Sequence, residues 1–215
     1  DPVSGEILWT FREPETIRHQ RSPRQAYGKG VAYAEINGRG VIYITTPGFF
    51  LWALDAKTGL PLENWGSNFP VGGFPETGVV DLVPLLVDDW GPWQDYIVAG
   101  GDYDPDYGIP RELGMVTASA PPIVVNGVVI VLVGHQPSYG QTRIENVPGD
   151  IMGFDAETGE RLWKFHAIPR PGEVGHETWH NDAWRFSGDI STWAPASADP
   201  ELGLVYMVTN ASTVQ

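Results

Sequence analysis

The chain has 215 residues, a formal charge of −14 at pH 7 and no cysteine. The length is enough to bury a sizeable core. The missing cysteine excludes disulfide and thiolate chemistry, and an acidic surface repels phosphate backbones, which argues against nucleic acid as a partner. No stretch approaches the roughly 18 apolar residues of a membrane-crossing helix. The 26 Gly, 19 Pro and nine Trp call for frequent turns and for rings that need packing partners.

In chain order, the first element is a turn, Asp1-Pro2-Val3-Ser4-Gly5, followed by Trp9. The same turn returns as Asp55-Ala56-Lys57-Thr58-Gly59 and again as Asp155-Ala156-Glu157-Thr158-Gly159, followed by Trp163. Its glycine supplies positive φ, and its Asp and hydroxyl residue accept local backbone N–H groups. A turn repeated between apolar strands predicts a radially repeated all-β fold, with Trp9 and Trp163 packed between neighbouring sheets. Strands are predicted at 31–36 and 40–45 around Asn37-Gly38, a hairpin signal. Further strands are expected at 49–54, at 96–99, and at 122–125 and 128–133 around Asn126-Gly127. The last are expected at 150–154, 161–166, 191–197 and 204–209. Helical periodicity is nowhere sustained for three turns. The segments 64–92, 100–117 and 167–188, rich in Gly, Pro and aromatics, read as long functional or covering insertions. The first two turns lie 54 residues apart, so the expected organisation is one domain over 1–215. It would hold roughly four blades of a β-propeller, cut at both ends and completed by further chain or a second copy.

Several runs together resemble a known family. They are 29–33 (Lys-Gly-Val-Ala-Tyr), 117–125 (Thr-Ala-Ser-Ala-Pro-Pro-Ile-Val-Val), 146–159, 165–173 (Phe-His-Ala-Ile-Pro-Arg-Pro-Gly-Glu) and 193–206. The chain resembles about half of an eight-bladed quinoprotein dehydrogenase dependent on pyrroloquinoline quinone (PQQ), on the glucose-dehydrogenase-like side. The resemblance implies four-stranded antiparallel blades, with PQQ and Ca²⁺ in a central channel. It also implies oxidation of a sugar or alcohol hydroxyl by hydride transfer to the quinone, and electrons leaving to ubiquinone or a cytochrome c. The compartment it implies is the periplasm, with attachment to the inner membrane through a part outside these residues left open.

Residue by residue, the resemblance makes Trp193 the aromatic floor beneath the quinone, with Ser191 as a neighbouring hydroxyl donor. Ser119 matches a cofactor-binding Thr. Lys29 stands where the family usually has Arg, a point charge in place of a bidentate fork, and Arg24 is close enough in sequence to compensate. Gly134 and His135 are candidates to approach the quinone oxygens. Asn210 is the candidate Ca²⁺ ligand, since a hard cation takes oxygen donors. The loop 134–139 lacks the acid that the methanol-type branch uses, which favours the sugar-type side. The family's catalytic Asp is expected beyond Gln215, so the segment alone is expected to be inactive and to hold no catalytic residue. His176, Glu177, His180 and Asp182 form no complete zinc pattern. Asn210-Ala211-Ser212 is a sequon too short to weigh. The alternatives are a non-catalytic propeller scaffold or binding module, or an inactive fragment of the enzyme. Retention of Ser119, Ser191 and Trp193 argues against the scaffold.

Overall fold

The computed structural model describes residues 1, 3–25, 30–67, 71–118, 120–135, 142–190 and 192–212, with 134 and 135 through their backbone alone. The N-terminal segment carries one short helix, α1 (Ile17–Arg21), capped by Thr16, whose side chain accepts from the backbone N–H of His19. Next comes the hairpin of β1 (Ala32–Ile36) and β2 (Arg39–Thr45), followed by β3 (Phe50–Asp55) and β4 (Val79–Asp81). These four pair antiparallel in sequence order as one sheet. The hairpin turns on Asn37 at φ 51° and Gly38 at φ 77°, the double positive φ of a type I′ turn.

Two helices follow, α2 (Leu82–Val87) and α3 (Gly91–Val98). The strand expected at 96–99 is therefore corrected: Tyr96, Ile97 and Val98 close α3, and Ala99 is its C-cap. Pro92 near the start of that helix has its φ preset and its missing N–H costs nothing there. Trp93 stacks on Tyr96 at 5.3 Å, a contact available on a helix at i, i+3 spacing.

The second sheet comprises β6 (Ile123–Val125), β7 (Val128–Val131), β9 (Ile151–Asp155) and β10 (Arg161–Phe165), in that spatial order. Its short companion sheet pairs β5 (Val116–Ala118) with β8 (Val133–His135). The strand expected over 128–133 thus divides at Leu132, and its second part serves a different sheet. A last hairpin, β11 (Ser197–Asp199) and β12 (Leu204–Tyr206), is shorter than the expected 191–197 and 204–209 runs.

The sheets stack face to face. Tyr43, Leu51 and Ala53 of the first sheet and Val129, Val131, Met152 and Phe154 of the second share one buried cluster. On the opposite face of the first sheet, Phe50, Trp52 and Leu54 pack with Phe11 of the N-terminal segment. Because β3 is covered on both sides, it is buried at all positions and shows no polar alternation. The outer face of the second sheet (Ile130, Ile151) packs on Ala198 and Val205 of the last hairpin. The layers run from the N-terminal segment through the two sheets to the last hairpin, all antiparallel and unclosed, as in an open part of a β-propeller. No helix among the described residues is long and apolar enough to cross a membrane.

The repeated turn explains how layers join. In the second copy Asp55 Oδ1 accepts from Lys57 N (3.0 Å) and Thr58 N (2.9 Å). In the third, Asp155 Oδ1 accepts from Glu157 N (2.9 Å) and Thr158 N (2.8 Å). The first repeats this with Val3 N and Ser4 N at 2.7 and 2.9 Å. A fourth copy is present in structure: Asp199 Oδ1 accepts from Glu201 N and Leu202 N, both at 3.0 Å, and Gly203 has φ 65°. Two tryptophans, Trp9 and Trp65, each dock on the Asp turn of the layer that follows. Trp9 Nε1 donates to Ala56 O at 3.1 Å, and Trp65 Nε1 donates to Ala156 O at 3.1 Å. In both cases the acceptor is the residue after the turn Asp, and the indole lies against the turn glycine, Gly59 or Gly159. Trp163 breaks the series. The matching carbonyl, Pro200 O, is taken by Asn126 Nδ2 at 2.9 Å, and Trp163 stays 39% exposed.

Candidate functional site

The site is built around the link between α1 and β1. Arg18 anchors α1 by an ion pair to Asp81 at 2.9 Å, with its guanidinium 3.6 Å over the Phe50 ring. Glu13 anchors the turn after β2, accepting from Gly48 N at 2.9 Å and from the Thr46 hydroxyl. Burial pushes the Glu13 carboxyl above its usual pKa, against the pull of those two donors.

Leaving α1, the chain enters a directed relay of hydrogen bonds. Arg24 N donates to Ser22 Oγ at 3.3 Å, and Thr117 Oγ1 donates to Pro47 O at 3.0 Å. Ser22 Oγ and Thr117 Oγ1 lie 3.1 Å apart. Since Thr117 has one proton and gives it to Pro47, Ser22 must be the donor between them. The relay ties the Arg24 backbone to β5, where Thr117 pairs with Gly134 of β8. Gly30, at φ 109°, leaves only van der Waals room beside Pro121: a Cβ there would stand 3.4 Å from its ring. Ser22 is therefore tied to β5 through Thr117, and Gly30 lies beside Pro121.

Arg24 itself is 9% exposed, and its guanidinium carbon lies 5.0 Å from the centre of the Trp193 ring, within cation–π range. Trp193 is 56% exposed, unlike Trp52, Trp65, Trp90 and Trp93, which are all buried in the core. Its neighbour Thr192 is buried. The preceding chain is fixed against the second sheet's entry by Asn146 N to Phe186 O at 3.0 Å. The Trp193 ring is thus left open to solvent between buried Thr192 and exposed Ala194. Together Arg24 and Trp193 set an exposed aromatic face beside a largely buried guanidinium.

Of the sequence-predicted residues, the structure brings Arg24 and Trp193 together and aligns Gly134 with Thr117. The backbone of His135 pairs with Val116. Asn210 lies half-buried in the extended stretch after β12. Lys29, Ser119 and Ser191 lie outside the described residues. His176 is used locally: Nδ1 meets Pro169 O at 3.1 Å, and its ring packs edge-on to Trp184. Sequence reading missed Ser22 and Thr117, whose role as tethers rests on a contact across 95 positions.

Stacked, unclosed antiparallel sheets are the architecture of part of an open β-propeller. A family model described as "PQQ: Glucose/ethanol/alcohol dehydrogenase, beta-propeller domain" matches residues 1–215, and the chain belongs to that family. It is 31% identical over 219 residues to the glycerol dehydrogenase large subunit of Gluconobacter oxydans, covering 99% of this chain and 24% of that protein. It is 34% identical over 226 residues to the quinoprotein glucose dehydrogenase of Escherichia coli, covering 99% of this chain and 23% of that protein. Among solved structures, the quinohemoprotein alcohol dehydrogenase ADHIIG of Pseudomonas putida superposes with a TM-score of 0.58. That match has 24% identity and covers 97% of this chain and 25% of the other, so it bears on the fold alone. The chain spans about a quarter of the length of these relatives.

Proposed function

We propose that this chain is the cofactor-facing part of a PQQ-dependent dehydrogenase that oxidises a hydroxyl of a sugar, polyol or simple alcohol. The observation that carries the reading is the Trp193 indole, 56% exposed, with Arg24 at 5.0 Å. The printed names of two relatives, a glycerol and a glucose dehydrogenase, favour the sugar and polyol side.

On this reading Trp193 is the floor for the cofactor plane, and Arg24 faces its carboxylates or carbonyl oxygens with a permanent charge. Ser119, Ser191 and Lys29 would add donors, as would the backbone at Gly134 and His135. Asn210 would give an oxygen to Ca²⁺. Bound PQQ supplies a two-electron acceptor, with Ca²⁺ as the Lewis acid that strengthens it. The work of these residues is to bind and orient. The Ser22–Thr117 tether holds the Arg24 backbone, which lowers the ordering cost of binding. The general base belongs to chain outside these residues, and so does most of the substrate pocket. Roughly four blades, a periplasmic setting and electron delivery to ubiquinone or a cytochrome c complete the proposal.

The test is the full-length gene product reconstituted with PQQ and Ca²⁺, then assayed by dye reduction with a panel of aldoses, polyols and alcohols. Activity on at least one class is expected. No quinone uptake together with no dye reduction would overturn the reading.

A further inference from the structure

A second cluster lies away from Trp193, where the link between α2 and α3 meets the second sheet. Asp89 sits in that link, Asp150 at the entry to β9, and His166 just past β10. Each offers one ligand atom, and the three atoms lie within 4.8 Å of one another. His166 Nε2 is 2.7 Å from Asp89 Oδ2, and His166 Nδ1 is 2.8 Å from Glu173 Oε1.

The unusual member is Asp150. It is 1% exposed, and its Oδ1 accepts from Ala167 N at 3.1 Å. Its Oδ2 is buried and has no hydrogen-bond partner among the described residues. Arg170 is the nearest cation, at 3.8 Å, too far for a hydrogen bond. A buried carboxylate oxygen without a donor is costly, and burial raises the Asp150 carboxyl to about pKa 6 against the opposing pull of Arg170 and His166.

We propose that Asp89, Asp150 and His166 form a binding site for a divalent transition metal of the zinc class, closed in the fourth position by solvent. One imidazole and two carboxylates suit Zn²⁺, whereas Ca²⁺ and Mg²⁺ want oxygen donors throughout. Glu173 stands where a ligating histidine's outer partner belongs, holding Nδ1–H so that Nε2 faces the metal. Bonds of about 2.0–2.2 Å would part His166 from Asp89 and bring Asp150 closer to both.

The surrounding charges allow it. Asp88, Asp89 and Asp150 face Arg161, Lys164 and Arg170, and Glu173 pairs with His166. Lys164 reaches Asp89 through the other carboxylate oxygen, Oδ1, at 2.7 Å, and also holds Asp88 and the carbonyl of Leu86. It can stay in place when Asp89 Oδ2 turns to a metal. The three ligands come from separate segments, so a bound ion would staple the helical insertion to the second sheet. This proposal is independent of the PQQ reading.

The test uses the full-length gene product, stripped with chelator, incubated with Zn²⁺ alone and desalted before elemental analysis. The wild type should carry one more zinc per chain than His166→Gln. Asp89→Asn, a surface change that spares the core if Asp150→Asn fails to fold, should lose the same equivalent. Asp88→Asn, one residue outside the ligand set, should keep it. Glu173→Gln should weaken affinity by roughly 10- to 100-fold. X-ray absorption at the zinc edge should show one imidazole among oxygen ligands. Equal zinc in the wild type and His166→Gln, or a spectrum without imidazole, would overturn the site.

Discussion

The contact between the two four-stranded sheets and the contact between the second sheet and the last hairpin are built from the same parts. Each has an Asp turn on the outer layer and a tryptophan on the inner one. At the first, Trp65 donates to Ala156 O and is 1% exposed. At the second, Asn126 occupies Pro200 O and Trp163 is 39% exposed. An identical local turn therefore does not fix an identical interface. A second donor on that carbonyl does not by itself exclude an indole, since Ala156 O accepts from both Trp65 Nε1 and the Tyr43 hydroxyl; what differs is how much sheet stands behind the indole to bury it.

The largest test of that comparison is Trp65→Ala. Emptying a fully buried indole site should cost about 3–5 kcal/mol, read as a loss of stability in denaturant. Trp163→Ala should cost much less, about 1–2 kcal/mol, because only part of its surface leaves water. Equal losses would break the comparison.

Next in size is a pair of glycine substitutions in the same turn. Gly159 has φ 77°, and a Cβ there would stand 2.8 Å from Gly66 N; Gly5 has φ 73° with nothing within 4 Å. Gly5→Ala should cost only the left-handed backbone penalty, about 1–2 kcal/mol. Gly159→Ala should cost that and a backbone displacement besides, measured as a clearly lower Tm. Similar Tm values for the two variants would mean that the turn glycine serves φ alone.

How much was legible follows from where each signal sits in the chain. Asn37-Gly38 and Asn126-Gly127 announced their hairpins because a type I′ turn is decided by two adjacent residues. The turn at Asp199 was read as the break between two strands but not as a fourth copy of the repeat, because Leu202 stands where the other copies have a hydroxyl, although the Asp carboxylate alone closes it. Trp65 was hidden because it follows its glycine by six positions instead of four, with Asn64 at φ 59° inserted ahead of it. The run 96–99 is apolar and β-prone, yet the contact of Trp93 with Tyr96 and the start at Pro92 favour a helix. At the candidate site, Trp193 and Arg24 were singled out through family resemblance, and the structure adds that they lie side by side. The Ser22–Thr117 tether and the Asp89–Asp150–His166 cluster were not, since no local pattern joins residues so far apart in sequence.

The smallest expected effect is a pH dependence at the Asp55 turn. Arg39 pairs with Asp55 at 2.7 Å. That bond, with the turn N–H and hydroxyl donors, outweighs desolvation and holds the Asp55 carboxyl down at about pKa 2. The folded pKa lies below the unfolded one, so the stabilisation is complete above the ordinary Asp value of about 4. It is lost as pH falls toward 2. Arg39→Ala should shift that acid loss to higher pH, followed by circular dichroism along an acid titration. An unchanged acid midpoint would show that the turn donors suffice without the guanidinium.

The central claim is that Trp193, backed by Arg24, is the floor for the redox cofactor. The most direct measurement is PQQ affinity of the full-length gene product in Ca²⁺, by equilibrium dialysis, for the wild type, Trp193→Ala and Trp163→Ala. The account predicts that Trp193→Ala loses at least about tenfold in affinity, the equivalent of roughly 1.4 kcal/mol, while Trp163→Ala, equally a removal of an indole, retains it. Affinity unchanged in a folded Trp193→Ala protein would contradict the account.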